Sequence, residues 1–279
     1  MRLARMHLAN KNQDAARSSL RQALVAKPDL LPAQQALVGV ELATARPDEA
    51  LAIARTVQKQ RPSEAVGFVM EAAIDTERND LSAAANVYGA ALRRFDSPVI
   101  AAKLHAVLVR AHRDTDAEKL AATWVKGHPN DAVFPSYLGE LALEKKDHAT
   151  AEKYFREVLR LQPANAQAMN NLAWTMAVLR KPGAADLAKK ATALVPDAPD
   201  FLDTLAAALA AENQTAQAID VQKKALALVP GNPMFRLRLA KLYIKAGDKA
   251  TARTELETLA KLSDKFSGQA EVGELLKSL

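Results

Sequence analysis

Five histidines, 32 acidic residues and no cysteine are the groups with which this 279-residue chain could do chemistry. His105 and His112 stand two helical turns apart, whereas two metal ligands on one helix face need a spacing of about four. His128 precedes Pro129 and His148 falls in a polar break, so both are expected at the surface. Asp114 with Asp116, and Asp200 with Asp203, fall at expected helix starts. Carboxylates there cap free N–H groups or complement the helix dipole, which explains them without acid–base work. Asn213-Gln214-Thr215 fits a glycosylation acceptor but reads as a polar turn. There is no GxxxxGK[ST], GxGxxG, GxSxG or HExxH motif. The expectation is a non-enzymatic chain with no catalytic residue, no cofactor and no metal. The missing cysteine removes disulfides and thiolate chemistry and leaves the redox compartment open.

The elements that would position any site are helical. Apolar residues make up 49% of the chain and aromatics only 5%. Alanine and leucine, two of the strongest helix formers, dominate. The net charge of +6 is spread thinly. Residues 1–130 carry 18 basic and 14 acidic side chains, and residues 131–279 carry 20 and 18. A footprint for nucleic acid would be concentrated, so none is expected. No apolar stretch approaches the ~18 residues of a membrane span, and Met1-Arg2-Leu3-Ala4-Arg5-Met6 has no signal-peptide core.

Two independent rulers mark a repeat. Pro28 and Pro62 are separated by 34; Pro129, Pro163, Pro196 and Pro230 follow one another at 34, 33 and 34, with one marker missing near Asp96. Ala16, Ala50, Ala84, Ala117, Ala151, Ala184, Ala218 and Ala252 are separated by 34, 34, 33, 34, 33, 34 and 34. A constant period near 34 is the mark of stacked helix pairs. Within residues 132–163, Leu138, Leu141 and Ala142 recur at helical spacing, Lys145-Lys146-Asp147-His148 breaks the pattern, and Ala151, Tyr154, Phe155, Val158 and Leu159 line a second helix. Turn residues recur at matching places, as in Arg46-Pro47-Asp48, Arg78-Asn79-Asp80 and Ala246-Gly247-Asp248.

Leu138-Gly139, Ala151-x3-Phe155 and Pro163, with Leu239-Ala240-x2-Tyr243 and Ala84-x3-Tyr88, resemble the tetratricopeptide repeat (TPR). Pro135 stands at the tryptophan position, and Asp96 and Asp264 replace the closing proline. The resemblance implies an all-α, right-handed α-solenoid of about eight TPR helix pairs plus a C-terminal capping helix. Residues 1–279 are expected to form one superhelix, with repeats near 1–30, 31–64, 65–98, 99–131, 132–165, 166–198, 199–232 and 233–266 and the cap at 267–279. Ala16, the crossing alanine, lies too close to Met1 for a full first helix, so upstream repeats are expected to be missing from this chain.

The resemblance also implies a concave surface lined by the first helix of each pair, binding a protein or peptide segment. Carrying the register over places Lys103, Val107 and Arg110 of the fourth repeat there, with Asn170 and Trp174 of the sixth, Asp203 of the seventh, and Leu237, Lys241 and Lys245 of the eighth. A tryptophan beside an amide is an economical anchor for an extended chain; filling space between repeats is the alternative for Trp174. Trp124 falls in a second helix and is expected in the core.

The phrases Asn170-Asn171-Leu172-Ala173-Trp174, Phe201-Leu202-Asp203-Thr204-Leu205-Ala206 and Ala252-Arg253-Thr254-Glu255-Leu256 are similar to the ends of bacterial envelope TPR proteins, notably the TPR lipoprotein of PEP-CTERM/exosortase and exopolysaccharide-export systems. That implies a scaffold in the periplasm, with a lipidated N-terminus outside this chain. A cytoplasmic location, a regulatory module of a larger enzyme such as a glycosyltransferase, and an RNA-binding helical-repeat protein remain open.

Overall fold

The computed structural model describes all residues, 1–279. It is entirely helical, as expected, apart from a short 3₁₀ turn at Ser263–Lys265. Helices follow one another in pairs: α1 (Arg2–Ala9) and α2 (Gln13–Ala26), α3 (Leu31–Ala43) and α4 (Pro47–Gln60), α5 (Val66–Glu77) and α6 (Leu81–Phe95), α7 (Pro98–Arg110) and α8 (Asp114–Gly127). Then come α9 (Val133–Glu144) and α10 (His148–Leu161), α11 (Ala166–Val178) and α12 (Ala184–Leu194), α13 (Pro199–Ala211) and α14 (Thr215–Leu228), α15 (Pro233–Ala246) and α16 (Lys249–Ala260), and a last helix α17 (Gln269–Ser278). The chain divides into two compact units, Met1–Phe134 and Pro135–Leu279. Inside each, helices pack on their partners and each pair packs on the next, the arrangement of TPR solenoids.

Alanine sets the approach of the helices. The eight ruler alanines are all 0–2% exposed. Four residues later stand Leu20, Ala54, Tyr88, Ala121, Phe155, Ala188, Gln222 and Leu256, every one buried. Gly139 shows how close the approach is: a Cβ there would lie 2.8 Å from the Phe155 ring.

The turn inside each pair is one joint made eight times. Lys11, Ala45, Asn79, His112, Lys146, Arg180, Asn213 and Gly247 all take the left-handed conformation, at spacings of 34, 34, 33, 34, 34, 33 and 34. At each, the next residue's N–H donates five residues back (2.7–2.9 Å) and the left-handed residue's own N–H donates three residues back (3.0–3.2 Å). This Schellman closure satisfies carbonyls left free at the end of the first helix. In seven of the eight pairs the second helix then starts at once; before α12, Pro182 and Gly183 intervene and Gly183 is the N-cap. Asn12, Asp80, Asp147 and Asp248 accept from the N–H three residues on, at 3.0–3.1 Å. Where the proline marker is missing, Asp96 itself closes α6 in the left-handed region.

Several sequence expectations need correction. His128 is half-buried: its ring stacks on Trp124 at 3.7 Å, and its nitrogens lie 3.0 Å from the Trp124 carbonyl and from the Asp96 carboxylate. His148 opens α10 and is half-buried too. Asp203 does not cap a helix start: it sits in the second turn of α13 and is buried. Val107 is also buried. Trp124 is in the core, as expected, with its indole N–H donating to Asp131 at 2.8 Å. At the C-terminus, α17 caps the last pair: Phe266 and Val272 pack on Leu237, Ala240, Leu256 and Leu259.

Candidate functional site

Each first helix buries one side and leaves a stripe uncovered. On α11 the stripe is Gln167, Asn171, Trp174 and Val178, spaced as one helix face. On α9 it runs through Glu140 and Glu144, on α13 through Asp200 and Ala207, and on α15 through Met234, Arg238, Lys241 and Lys245. Glu140, Trp174, Ala207 and Lys241 occupy the same place in successive repeats, at spacings of 34, 33 and 34.

One side chain ties three of these helices together. Arg238 of α15 reaches across α13 and lays its guanidinium over the Trp174 ring of α11, 4.8 Å from the centroid. The same guanidinium forms an ion pair with Asp203, which also accepts from Gln222 Nε2 at 2.9 Å. Gln222 donates in addition to the Phe235 carbonyl at 3.1 Å, so the polar groups beneath this face are tied into the backbone. Burial draws the Arg238 guanidinium down from its ordinary value, and the Asp200 carboxylate opposes that shift. On α9, burial and the nearby Glu144 carboxylate push the Tyr137 phenol up to about 12, which keeps it protonated.

The sequence-derived candidates distribute as follows. Trp174 is half-buried, with part of its indole open on the stripe. Asn170 is buried, its Oδ1 without a donor, and belongs one residue inside the stripe; the amide that reaches the stripe is the half-buried Asn171. Asn170, Asp203 and Leu237 occupy equivalent places, at spacings of 33 and 34, and all three are buried. Lys241 is exposed and ion-paired with Glu271 of the capping helix. Lys245 donates to the Ala210 carbonyl and to Asn213 Oδ1, the latter at 3.3 Å. Lys103 and Arg110 lie on α7 in the first unit, both exposed, with Arg110 donating to Asn79 Oδ1 at 3.2 Å. The structure therefore brings Trp174, Asp203 and Arg238 together. Arg238 escaped the sequence reading because the register favoured Leu237; the signal available was a second arginine in Arg236-Leu237-Arg238-Leu239, within an otherwise apolar pattern.

No group of three or more metal-ligating side chains gathers in the structure, and no helix is long and apolar enough to cross a membrane. The face offers an aromatic surface, fixed charges and amides, which suit recognition of an extended chain.

Comparison with known proteins agrees with the fold. Residues 137–199 and 209–276 each match the tetratricopeptide-repeat family, so the chain carries tetratricopeptide repeats. None of the curated proteins matches it. Among solved structures, the Cut9 and Hcn1 hetero-tetramer of the APC/C is similar over 98% of this chain and 54% of that one, with a TM-score of 0.58 and 14% identity. The chain thus spans about half the length of that relative. The Pseudomonas aeruginosa pilF structure covers 74% of this chain and 95% of its own, with a TM-score of 0.56 and 18% identity. YrrB, described as a TPR protein with an unusual peptide-binding site, covers 67% and 97%, with a TM-score of 0.50 and 16% identity.

Proposed function

We propose that this chain is a non-catalytic scaffold that holds an extended segment of a partner protein on the exposed stripes of its second unit, centred on Trp174. Proteins of tetratricopeptide repeats are in general interaction scaffolds, and the matched repeats support that class directly. The observation that carries the site is the Trp174 indole, covered from one side by Arg238, which Asp203 anchors, while part of it stays open. An aromatic ring fixed before binding loses little entropy when a partner covers it. The peptide-binding description of YrrB, a protein of the same fold, is in keeping with this reading. The similarity of the C-terminal phrases to envelope TPR proteins favours a bacterial periplasmic assembly concerned with exopolysaccharide or protein sorting as the setting.

The test is affinity capture with crosslinking, using wild-type chain and Trp174→Ala against separate envelope and cytosolic extracts. Envelope proteins retained by wild type and lost by the variant are expected. Partners from the cytosol would reject the setting. Partners indifferent to the substitution would reject the site.

A further inference from the structure

We infer that the partner segment is positively charged where it crosses this face; the inference rests on the reading of the Trp174 face as the binding surface. The chain's net charge of +6 suggests the opposite, but the local pairing reverses it. The cations of the face are already engaged. Arg238 is paired with Asp203, Lys241 with Glu271, and Lys245 is drawn onto the Ala210 carbonyl and Asn213. Glu140, Glu144 and Asp200 are exposed and form no ion pair, although Asp200 lies within the field of the Arg238 guanidinium. What the second unit presents along these stripes is an indole flanked by exposed carboxylates without an ion-pair partner.

The face also shows how it holds a cation. Arg238 lies over the Trp174 ring and is paired with the Asp203 carboxylate, the combination of ring quadrupole and anion that favours guanidinium and ammonium groups. One repeat away, Glu140 stands at the place equivalent to Trp174, and Asp200 lies one turn before Asp203. A lysine- or arginine-bearing strand laid across α9, α11 and α13 would meet Glu140, the open part of the indole and Asp200 in turn. An acidic strand on that path would meet two like charges and would have to take Arg238 or Lys241 from its present partner, leaving Asp203 buried and unpaired in the first case.

The experiment uses the full chain and short capped peptides identical except that they carry arginines, glutamates or serines. The chain has two tryptophans, so their indole N–H signals in proton–nitrogen correlation spectra separate the groove from the core. The arginine peptide is expected to move the Trp174 signal and leave Trp124 in place. Asp200→Asn and Glu140→Gln, both at exposed positions, should each weaken that binding by about two- to five-fold, with unchanged thermal midpoints. A glutamate peptide that moves Trp174 more than the arginine peptide overturns the charge inference and leaves the groove standing. An arginine peptide that moves Trp174 but whose affinity ignores both substitutions also overturns the charge inference alone, whereas one that binds without moving Trp174 removes the groove reading along with it. No response to any of the peptides likewise overturns the inference.

Discussion

The two compact units are made with the same joint and the same crossing alanine, yet only the first buries a carboxyl, Asp75, that has no ion-pair partner. Met1–Phe134 buries three acids, Glu41, Glu71 and Asp75. Glu41 is fully buried and met by Arg17 at 3.1 Å and Arg21 at 3.3 Å. On α5, Glu71 and Asp75 are both buried one turn apart, like charges with one arginine, Arg55, held 2.9 Å from Glu71. Burial and Glu71 together push the Asp75 carboxyl above its ordinary value. In Pro135–Leu279 each buried acid finds cations. Lys181 and Arg156 hold the Glu152 carboxyl below its ordinary value, and Asp203 has Arg238. The stripe differs as well: α7 shows Val99, Lys103, Ala106 and Arg110, whereas α11 shows Trp174. A repeat scaffold fixes the packing positions so firmly that individuality is left to the few places where packing is indifferent.

Four measurements put this contrast at risk. Arg238→Ala should do the most damage. It leaves Asp203 buried without its cation, so unfolding of the second unit should become easier by about 3 kcal/mol. A loss below ~1 kcal/mol in denaturant titration would show that Asp203 is satisfied by Gln222 alone. Next, Ala151→Leu and Ala84→Leu should each cost about 1–3 kcal/mol by overpacking a helix crossing, while exposed Lys146→Ala changes little. Equal midpoints for all three would sink the account of the alanine ruler.

A smaller effect, in the opposite direction, is expected at the joints. Ala45 sits in the left-handed region with a φ of 55°, which costs a residue with a Cβ about 1 kcal/mol. Ala45→Gly should raise stability by roughly that amount, and Gly247→Ala should lower it by roughly as much. If the two changes shift the thermal midpoint in the same direction, the joints are not equivalent.

The least of the four is a difference in acid response. A carboxyl raised above its unfolded value favours its neutral form in the folded state, so the first unit gains stability from Asp75 as the pH falls toward the carboxylate range. A carboxyl held low does the reverse: Glu152 stabilises the second unit at pH values above the ordinary carboxylate range, and that contribution is lost as the pH falls through the folded value. Asp75→Asn should raise the midpoint at neutral pH and flatten the gain in acid. Glu152→Gln should flatten the loss. Unchanged profiles would mean that these carboxyls titrate as they do in the unfolded chain.

The fold was legible because packing at a helix crossing tolerates little beyond alanine, so Ala16 to Ala252 write the period into the sequence. The joints were legible only as breaks. Lys11, Ala45, Lys146 and Arg180 carry no left-handed preference to read, and the conformation is imposed by the two backbone hydrogen bonds that close each turn. In the site, Trp174 stood out by its rarity. Asn170 was placed one residue out of phase: it stands four residues before Trp174, whereas the open stripe steps back three, to Asn171, and both steps are compatible with one helix face. Arg238 on Trp174 and the Asp96–His128 contact join side chains from different repeats, which no local pattern reveals.

The repeated joint also governs how this molecule would answer a mechanical load. Each closure rests on two short backbone hydrogen bonds and is nearly the same from Lys11 to Gly247. Pulled at its two termini, the chain should give way pair by pair. Each release frees about 34 residues, or roughly 115 Å of extended chain, because every pair leans chiefly on its nearest neighbours. The force–extension trace would be a row of evenly spaced peaks, the period of the sequence read as a length.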